Sequence, residues 1–269
     1  MPSVRIQYFA LPHSVRSLIE EVTGPVHAAQ QVDAGKNSHL AIRLEAAGGT
    51  YFVKGLPSDH RWVFTQQREA DIAPYLEDVG ADLAGHIVSG GWDLLVFTAL
   101  QGRHVDYRPG SADLPLVVGL LHDIAAMKCP PVDLRRAEVR WAEYVDRPAA
   151  AEELAGSSLL HTDWNDTNVL ISDRARLVDW GWATRGAAWL DPALWVIWLI
   201  AAGHTPPAAE QWAEKVSTWS SGSPEAVTRF AAANARFWLS EGERTQDAWT
   251  LRLVKASESW ASHRRSLEI

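Results

Sequence analysis

Apolar residues recur at helical spacing from Leu11 to Val22, and Gly24-Pro25 closes the stretch, which predicts a short amphipathic helix. The period then changes. Val26 to Ala34, Ser38 to Glu45 and Thr50 to Gly55 read as three strands, separated by Gly35-Lys36-Asn37 and by Ala46-Ala47-Gly48-Gly49, and so predict an antiparallel meander. Val63 to Leu76 returns to helical spacing. Trp92 to Leu100, after Ser89-Gly90-Gly91, is a strongly apolar strand that runs into Gln101-Gly102. Beyond it the pattern is helical: Leu114 to Met127, Arg136 to Val145, Ala188 to Ala202, Pro207 to Trp219, Pro224 to Glu241 and Arg244 to Ser262, with a break at Gly203-His204-Thr205-Pro206-Pro207. A sheet-rich beginning followed by helices predicts an α+β fold.

Polar residues interrupt this pattern in one informative place. His161-Thr162-Asp163-Trp164-Asn165-Asp166-Thr167-Asn168 runs straight into Val169-Leu170-Ile171, and a second apolar run, Leu177-Val178, ends in Asp179. Phosphoryl transfer needs one carboxylate to position the attacking hydroxyl and take its proton. It needs a second carboxylate, with an amide oxygen, to hold Mg2+ against the phosphates. Asp163 has the spacing for the first role; Asn168 and, after the Ser172-Asp173-Arg174-Ala175 turn, Asp179 have it for the second. Asp and Asn are also turn formers, but the two halves in this order and separation favour chemistry over turns. His161, two residues before the proposed base, reads as a brace for the loop.

Two further residues fit the same chemistry. Lys54 sits in Tyr51-Phe52-Val53-Lys54-Gly55, and a lysine in an apolar strand is accounted for by an anionic ligand and a carboxylate partner, or by the solvent face of an edge strand. Glu69, in the next helical stretch, is the carboxylate expected to cross to it, with Asp71 and Glu77 as rivals. The strand ending at Thr98 to Leu100 lies where a hinge would present backbone groups to a nucleotide base, so Thr98 and Leu100 are candidate base contacts.

Composition narrows the setting. The 269 residues carry a net charge of −8, which argues against nucleic acid and is compatible with a cationic substrate. No apolar run approaches the ~20 residues of a membrane span, and Met1-Pro2-Ser3-Val4-Arg5 lacks a signal-peptide pattern, so a cytoplasmic enzyme without membrane or obligate protein partner is expected. The single cysteine, Cys129, has no companion for a disulfide or a metal site. Tryptophan is abundant, with 14 residues, and three of them, Trp164, Trp180 and Trp182, lie in or beside the proposed catalytic loops.

Lys54, Glu69, the His161-to-Asn168 loop and Asp179, in that order, resemble the aminoglycoside phosphotransferase family of protein-kinase-like small-molecule kinases. The Asp166-Thr167-Asn168 ending is similar to the Asp-Ser-Asn of some members, and Leu121-His122 to the family's Leu-His helix ending. The resemblance implies a bilobal kinase-like fold, with residues 1–100 as a nucleotide-binding lobe and 101–269 as a catalytic and substrate-binding lobe. It implies Asp163 as base, Asn168 and Asp179 as Mg2+ ligands, Lys54 on the phosphates of ATP or GTP, and Glu69 orienting that lysine. It also implies that Gly35, Lys36, Asn37 and Ser38 cover the phosphates through backbone N–H groups. Asp191 would cap a helix and brace the catalytic loop. Thr162 departs from the family's usual glycine, and the phosphate loop has one glycine rather than G-x-G-x-x-G.

The expected acceptor is a hydroxyl of a small, cationic molecule, foremost an aminoglycoside or related aminosugar antibiotic. Asp166, Glu210, Glu214, Glu241, Glu243 and Asp247 are candidate ammonium contacts, and the three tryptophans candidate flat contacts. Homoserine, choline, fructosamine and methylthioribose kinases share the architecture, so a metabolic kinase is the alternative. A nucleotide-binding pseudokinase is a further one, opposed by retention of the lysine, the base and both metal ligands.

Overall fold

The computed structural model describes residues 5–32 and 38–268. The chain divides into two compact units, one of the residues up to Arg103 together with Arg176–Trp182, the other of His104–Ala175 and the residues from Ala183 onward. The returning segment carries Asp179 into the first unit.

In the first unit, α1 (His13–Thr23) buries Val15, Ile19 and Thr23, four residues apart on one face, and ends at Gly24, whose φ of 75° suits glycine. The strands β1 (Val26–Gln31), β2 (Leu40–Ala46) and β3 (Gly49–Pro57) follow, then α2 (Phe64–Ile72), β4 (Leu83–Ser89) and β5 (Trp92–Thr98). They form one antiparallel sheet in the order β1-β2-β3-β5-β4. Leu40, Ile42 and Leu44 alternate onto the α1 side, where they pack with Val53, Leu94 and Val96. Lys54 and its register partners Ala41 and Leu95 take the other face.

Two expectations are corrected here. The meander grows from three strands to five, because β5 inserts beside β3 and β4 pairs with β5 through a turn at Gly90 and Gly91, both at positive φ. Lys54 is therefore in the middle of a sheet, not on an edge strand. The helix expected to reach Leu76 ends at Ile72, since Pro74 has no N–H for the ladder, and the chain continues as 3-10 turns at Ala73–Tyr75 and Glu77–Val79.

The short β6 (Arg103–His104) marks the passage to the second unit. There α3 (Leu114–Ala126) is followed by β7 (Arg135–Arg136), a single turn α4 (Ala137–Arg140), α5 (Pro148–Glu152) and β8 (Ser158–Leu160). The helix expected over Arg136 to Val145 is thus cut short, because Arg135 and Arg136 pair with Thr184 and Arg185 instead. After the His161-to-Asn168 loop come β9 (Val169–Ile171) and β10 (Ala175–Leu177), where the chain crosses to the first unit, and then β11 (Thr184–Gly186). β7, β11 and β8 form a small mixed sheet. The helix α6 (Leu190–Ala201) is apolar all round and buried from Leu190 to Leu199, the mark of a central core helix. Around it lie α7 (Pro206–Ala213), α8 (Pro224–Thr245, capped by Ser223) and α9 (Ala248–Ser266, capped by Asp247). Among the described residues no helix is long and apolar enough to cross a membrane.

Candidate active site

The first unit holds a buried charge cluster. Lys54 is 6% exposed, and its Nζ lies 2.6 Å from Glu69 Oε2 and 2.6 Å from Asp179 Oδ1. Three elements meet there: β3 supplies the lysine, α2 the glutamate and the returning segment the aspartate. Gln66, one turn before Glu69, donates from Nε2 to the Asp93 carbonyl at 3.3 Å and to that of Lys54 at 3.5 Å, which ties α2 to the sheet. The rivals drop out: Glu77 is exposed, and Asp71 is exposed and accepts a bond from Gln67. Burial disfavours the charged amine, yet the two carboxylates outweigh it and hold the Lys54 pKa above its usual value. Burial pushes the Glu69 carboxyl up, against the pull of Lys54.

Asp179 adopts a φ of 65°, with its side chain 39% exposed. The turn behind it is fixed by Trp180 Nε1 donating to the Leu177 carbonyl at 2.9 Å and by Arg68 Nη1 donating to the Gly181 carbonyl at 3.1 Å. Of the phosphate-loop candidates, Gly35, Lys36 and Asn37 lie outside the described residues, and Ser38 stands half-buried just before β2. At the hinge, the Thr98 N–H is already given to the Asp82 carbonyl and the Ala99 N–H to that of Thr50. The N–H groups of Thr98 and Ala99 are thus engaged within the structure.

The proposed catalytic loop, His161 to Asn168, lies in the second unit. Asp191, at the start of α6, accepts the N–H groups of His161 (2.8 Å) and Thr162 (2.9 Å) on its two carboxylate oxygens. The buried His161 ring accepts the Asp163 N–H on Nδ1 at 3.2 Å, so the neutral imidazole carries its proton on Nε2. Asn165 caps the following 3-10 turn through Thr167 N. Asn168 Nδ2 donates to the Asp163 carbonyl at 3.2 Å. Only the NH2 end of an amide can donate to a carbonyl, so Asn168 Oδ1 is the end left to meet a cation. Asp163 itself is half-buried. Tyr107, buried nearby, has its phenol pushed well up by burial and by Asp166 and Asp163.

Thr162 shows why a glycine suits its position. Its φ is 71°, the left-handed region that a β-branched residue enters only under strain of about 1–3 kcal/mol. Arg140 Nη1 donates to the Thr162 hydroxyl and, at 3.3 Å, to that of Thr184, which holds the strained residue in place. Thr162→Gly exchanges relief of strain for the lost bond, so its stability is expected within about 1 kcal/mol of wild type. Thr162→Ala keeps the strain and loses the bond, and is expected to be lower by about 1–2 kcal/mol in urea unfolding.

Burial pushes the Asp191 carboxyl from 3.8 up to about 6, against the backbone bonds from His161 and Thr162 and the attraction of Arg140. A carboxyl raised in the folded state takes up its proton there first. Wild type is therefore expected to lose stability relative to Asp191→Asn as pH rises from about 4 to about 6, by up to about 3 kcal/mol, and to stay level above. Chemical unfolding of both proteins across that range measures the difference.

Several expected substrate contacts are placed elsewhere. Trp164 and Trp180 are 0% and 1% exposed, so neither offers a face to a ligand, while Trp182 is half-buried against Trp62 and Phe64. Glu210 accepts from Trp260 Nε1 and Arg264 Nε, Asp247 caps α9, and Glu241 pairs with Arg244. Glu214 and Glu243 are exposed and Asp166 is half-buried in the loop. Arg140 escaped the sequence reading because nothing in Arg136 to Val145 distinguishes it from a solvated helical arginine.

No protein-family model matches the sequence, and no curated protein is detectably similar to it. Solved structures are similar. Choline kinase LicA from Streptococcus pneumoniae matches with a TM-score of 0.61 at 13% identity, over 93% of this chain and 98% of that one. Aminoglycoside phosphotransferase APH(4)-Ia matches at 0.59 and 16%, over 91% and 98%. A thermostable mutant of APH(4)-Ia, in a ternary complex with ADP and hygromycin B, matches at 0.57 and 17%, over 92% and 99%. The α+β fold of an antiparallel-sheet unit followed by a helical unit, expected from the sequence, is thus the fold that this chain has in common with aminoglycoside phosphotransferase APH(4)-Ia and choline kinase LicA.

Proposed function

We propose that this protein is a Mg2+-dependent small-molecule kinase, moving the γ-phosphate of ATP or GTP to a hydroxyl of an aminoglycoside or related aminosugar. The observation that carries the reading is Lys54, a buried cation set in a central strand and held at 2.6 Å by carboxylates from two other elements. A protein gains little from burying such a group for stability alone. It gains a rigid cation for phosphate oxygens, with Glu69 keeping the amine aimed when Asp179 turns to the metal. Asn168 and Asp179 would hold Mg2+, which would supply the positive charge that offsets charge developing on the phosphates. The donor set fits that ion: Asn168 presents an amide oxygen by virtue of its own hydrogen bond, and Asp179 a partly exposed carboxylate.

Asp163 takes the role of base. Held by a loop that Asp191 and His161 fix through backbone N–H groups, it orients the acceptor hydroxyl and receives its proton. The choline kinase among the similar structures supports an amino-alcohol acceptor as the second reading. A cytoplasmic location and a role in antibiotic resistance go with the first. Nucleotide release measured with Mg2+ and ATP or GTP, over aminoglycosides, other hydroxylated antibiotics and amino-alcohols, separates the readings. Acceptor-dependent ADP or GDP is expected. Mg-nucleotide binding without release on any acceptor would point to a pseudokinase, and no nucleotide binding would overturn the proposal.

A further inference from the structure

A cavity of about 720 Å³ opens in the second unit, lined among others by Lys128, Cys129, Asp133, Arg136, Ser158 and Arg185. Its volume lies in the range of small-molecule sites. The lining comes from the end of α3, the segment that follows it and the β7-β11-β8 sheet, and none of it belongs to the catalytic loop. Pro130 and Val132 add apolar surface.

The charge of this cavity runs against that of the protein. Three cations face one carboxylate, in a chain of net charge −8. Arg136 and Arg185 are direct register partners on the neighbouring strands β7 and β11, so two guanidinium groups start side by side. Like charges placed so repel each other unless something negative lies between them. Arg136 donates from Nε to Glu138 at 2.6 Å. Among the described residues, Arg185 and Lys128 have no carboxylate partner.

The geometry points to a second binding site, for a small organic anion that places a carboxylate or phosphate between Arg136, Arg185 and Lys128 and its apolar body against Pro130 and Val132. Ser158, which opens β8 on the way to His161, supplies a hydroxyl to the same anion. Its lining shares no residue with the proposed catalytic loop, and it stands or falls apart from the kinase reading.

Cys129, the single cysteine of the chain, makes the test site-specific. The full-length protein is treated at constant ionic strength with the dianionic reagent dithiobis(nitrobenzoate) or the uncharged dithiodipyridine. Each rate is divided by that of the urea-unfolded chain. The anionic reagent is expected to be favoured by about tenfold, and the double variant Lys128→Gln/Arg185→Gln to lose that preference. Both residues are exposed, and far-UV circular dichroism checks that the variant folds as wild type. Benzoate and phenyl phosphate are expected to slow labelling of wild type where benzyl alcohol does not; whichever protects better tells carboxylate from phosphate. Equal preference in the variant, protection by benzyl alcohol equal to that by the anions, or a thiol that neither reagent reaches would each overturn the proposal.

Discussion

Asp163→Asn is expected to bind Mg-nucleotide as wild type does and to transfer phosphate at least about 100-fold more slowly, up to about 10,000-fold. The split follows from how the loop is built. Asp163 gives its N–H to His161 and its carbonyl to Asn168, so both of these bonds run through its backbone and survive the substitution. Asn168 keeps its Nδ2 bond, and with it the orientation of its amide oxygen, so nucleotide affinity is expected to stay unchanged. What is lost is a carboxylate that can accept the hydroxyl proton, since an amide oxygen of the same shape is a far weaker base. Calorimetric titration with Mg-nucleotide and steady-state turnover measure the two halves separately. Undiminished turnover in this variant would remove Asp163 from the chemistry. A parallel loss of nucleotide affinity would instead mean that the carboxylate helps to hold the nucleotide.

The parts of this arrangement that are legible in the sequence are those in which chemistry and chain spacing coincide. Asp163, Asn168 and Asp179 stand on one loop and the hairpin after it, so their separations along the chain already constrain them. Lys54 showed itself by contrast with Tyr51, Phe52 and Val53. Glu69 could be singled out from Asp71 and Glu77 only on the resemblance, because which helical residue meets the lysine depends on where α2 docks on the sheet. The strand β4 left little trace: Gly85 and His86 break its alternation, and it is held by pairing with β5 rather than by a pattern of its own. Trp164 and Trp180 misled for the opposite reason. Their place in or beside the proposed catalytic loops suggested ligand contacts, whereas both indoles are almost fully buried. The strain at Thr162 was invisible until its φ was known, although the family's preference for glycine at that place was the trace of it.

Lys54→Met is expected to weaken Mg-nucleotide binding by at least about 100-fold and to lower the stability of the protein by about 3–5 kcal/mol. Two separate causes act. The phosphates lose their buried cation, and Glu69, 3% exposed, loses the charge that made its burial tolerable. Asp179 suffers less, because its side chain is 39% exposed and water can take the place of the amine. The double variant Lys54→Met/Glu69→Gln separates the causes: with no bare carboxylate left inside, most of the lost stability is expected to return. Nucleotide affinity is expected to stay low, since the glutamine restores no positive charge. Urea unfolding reads the first quantity and calorimetry the second. If affinity recovered along with stability, Lys54 would be a structural cation only, and the phosphates would have to be held by other groups. If neither recovered, the cost of the single substitution would lie in packing around the lysine stem and not in the stranded charge of Glu69.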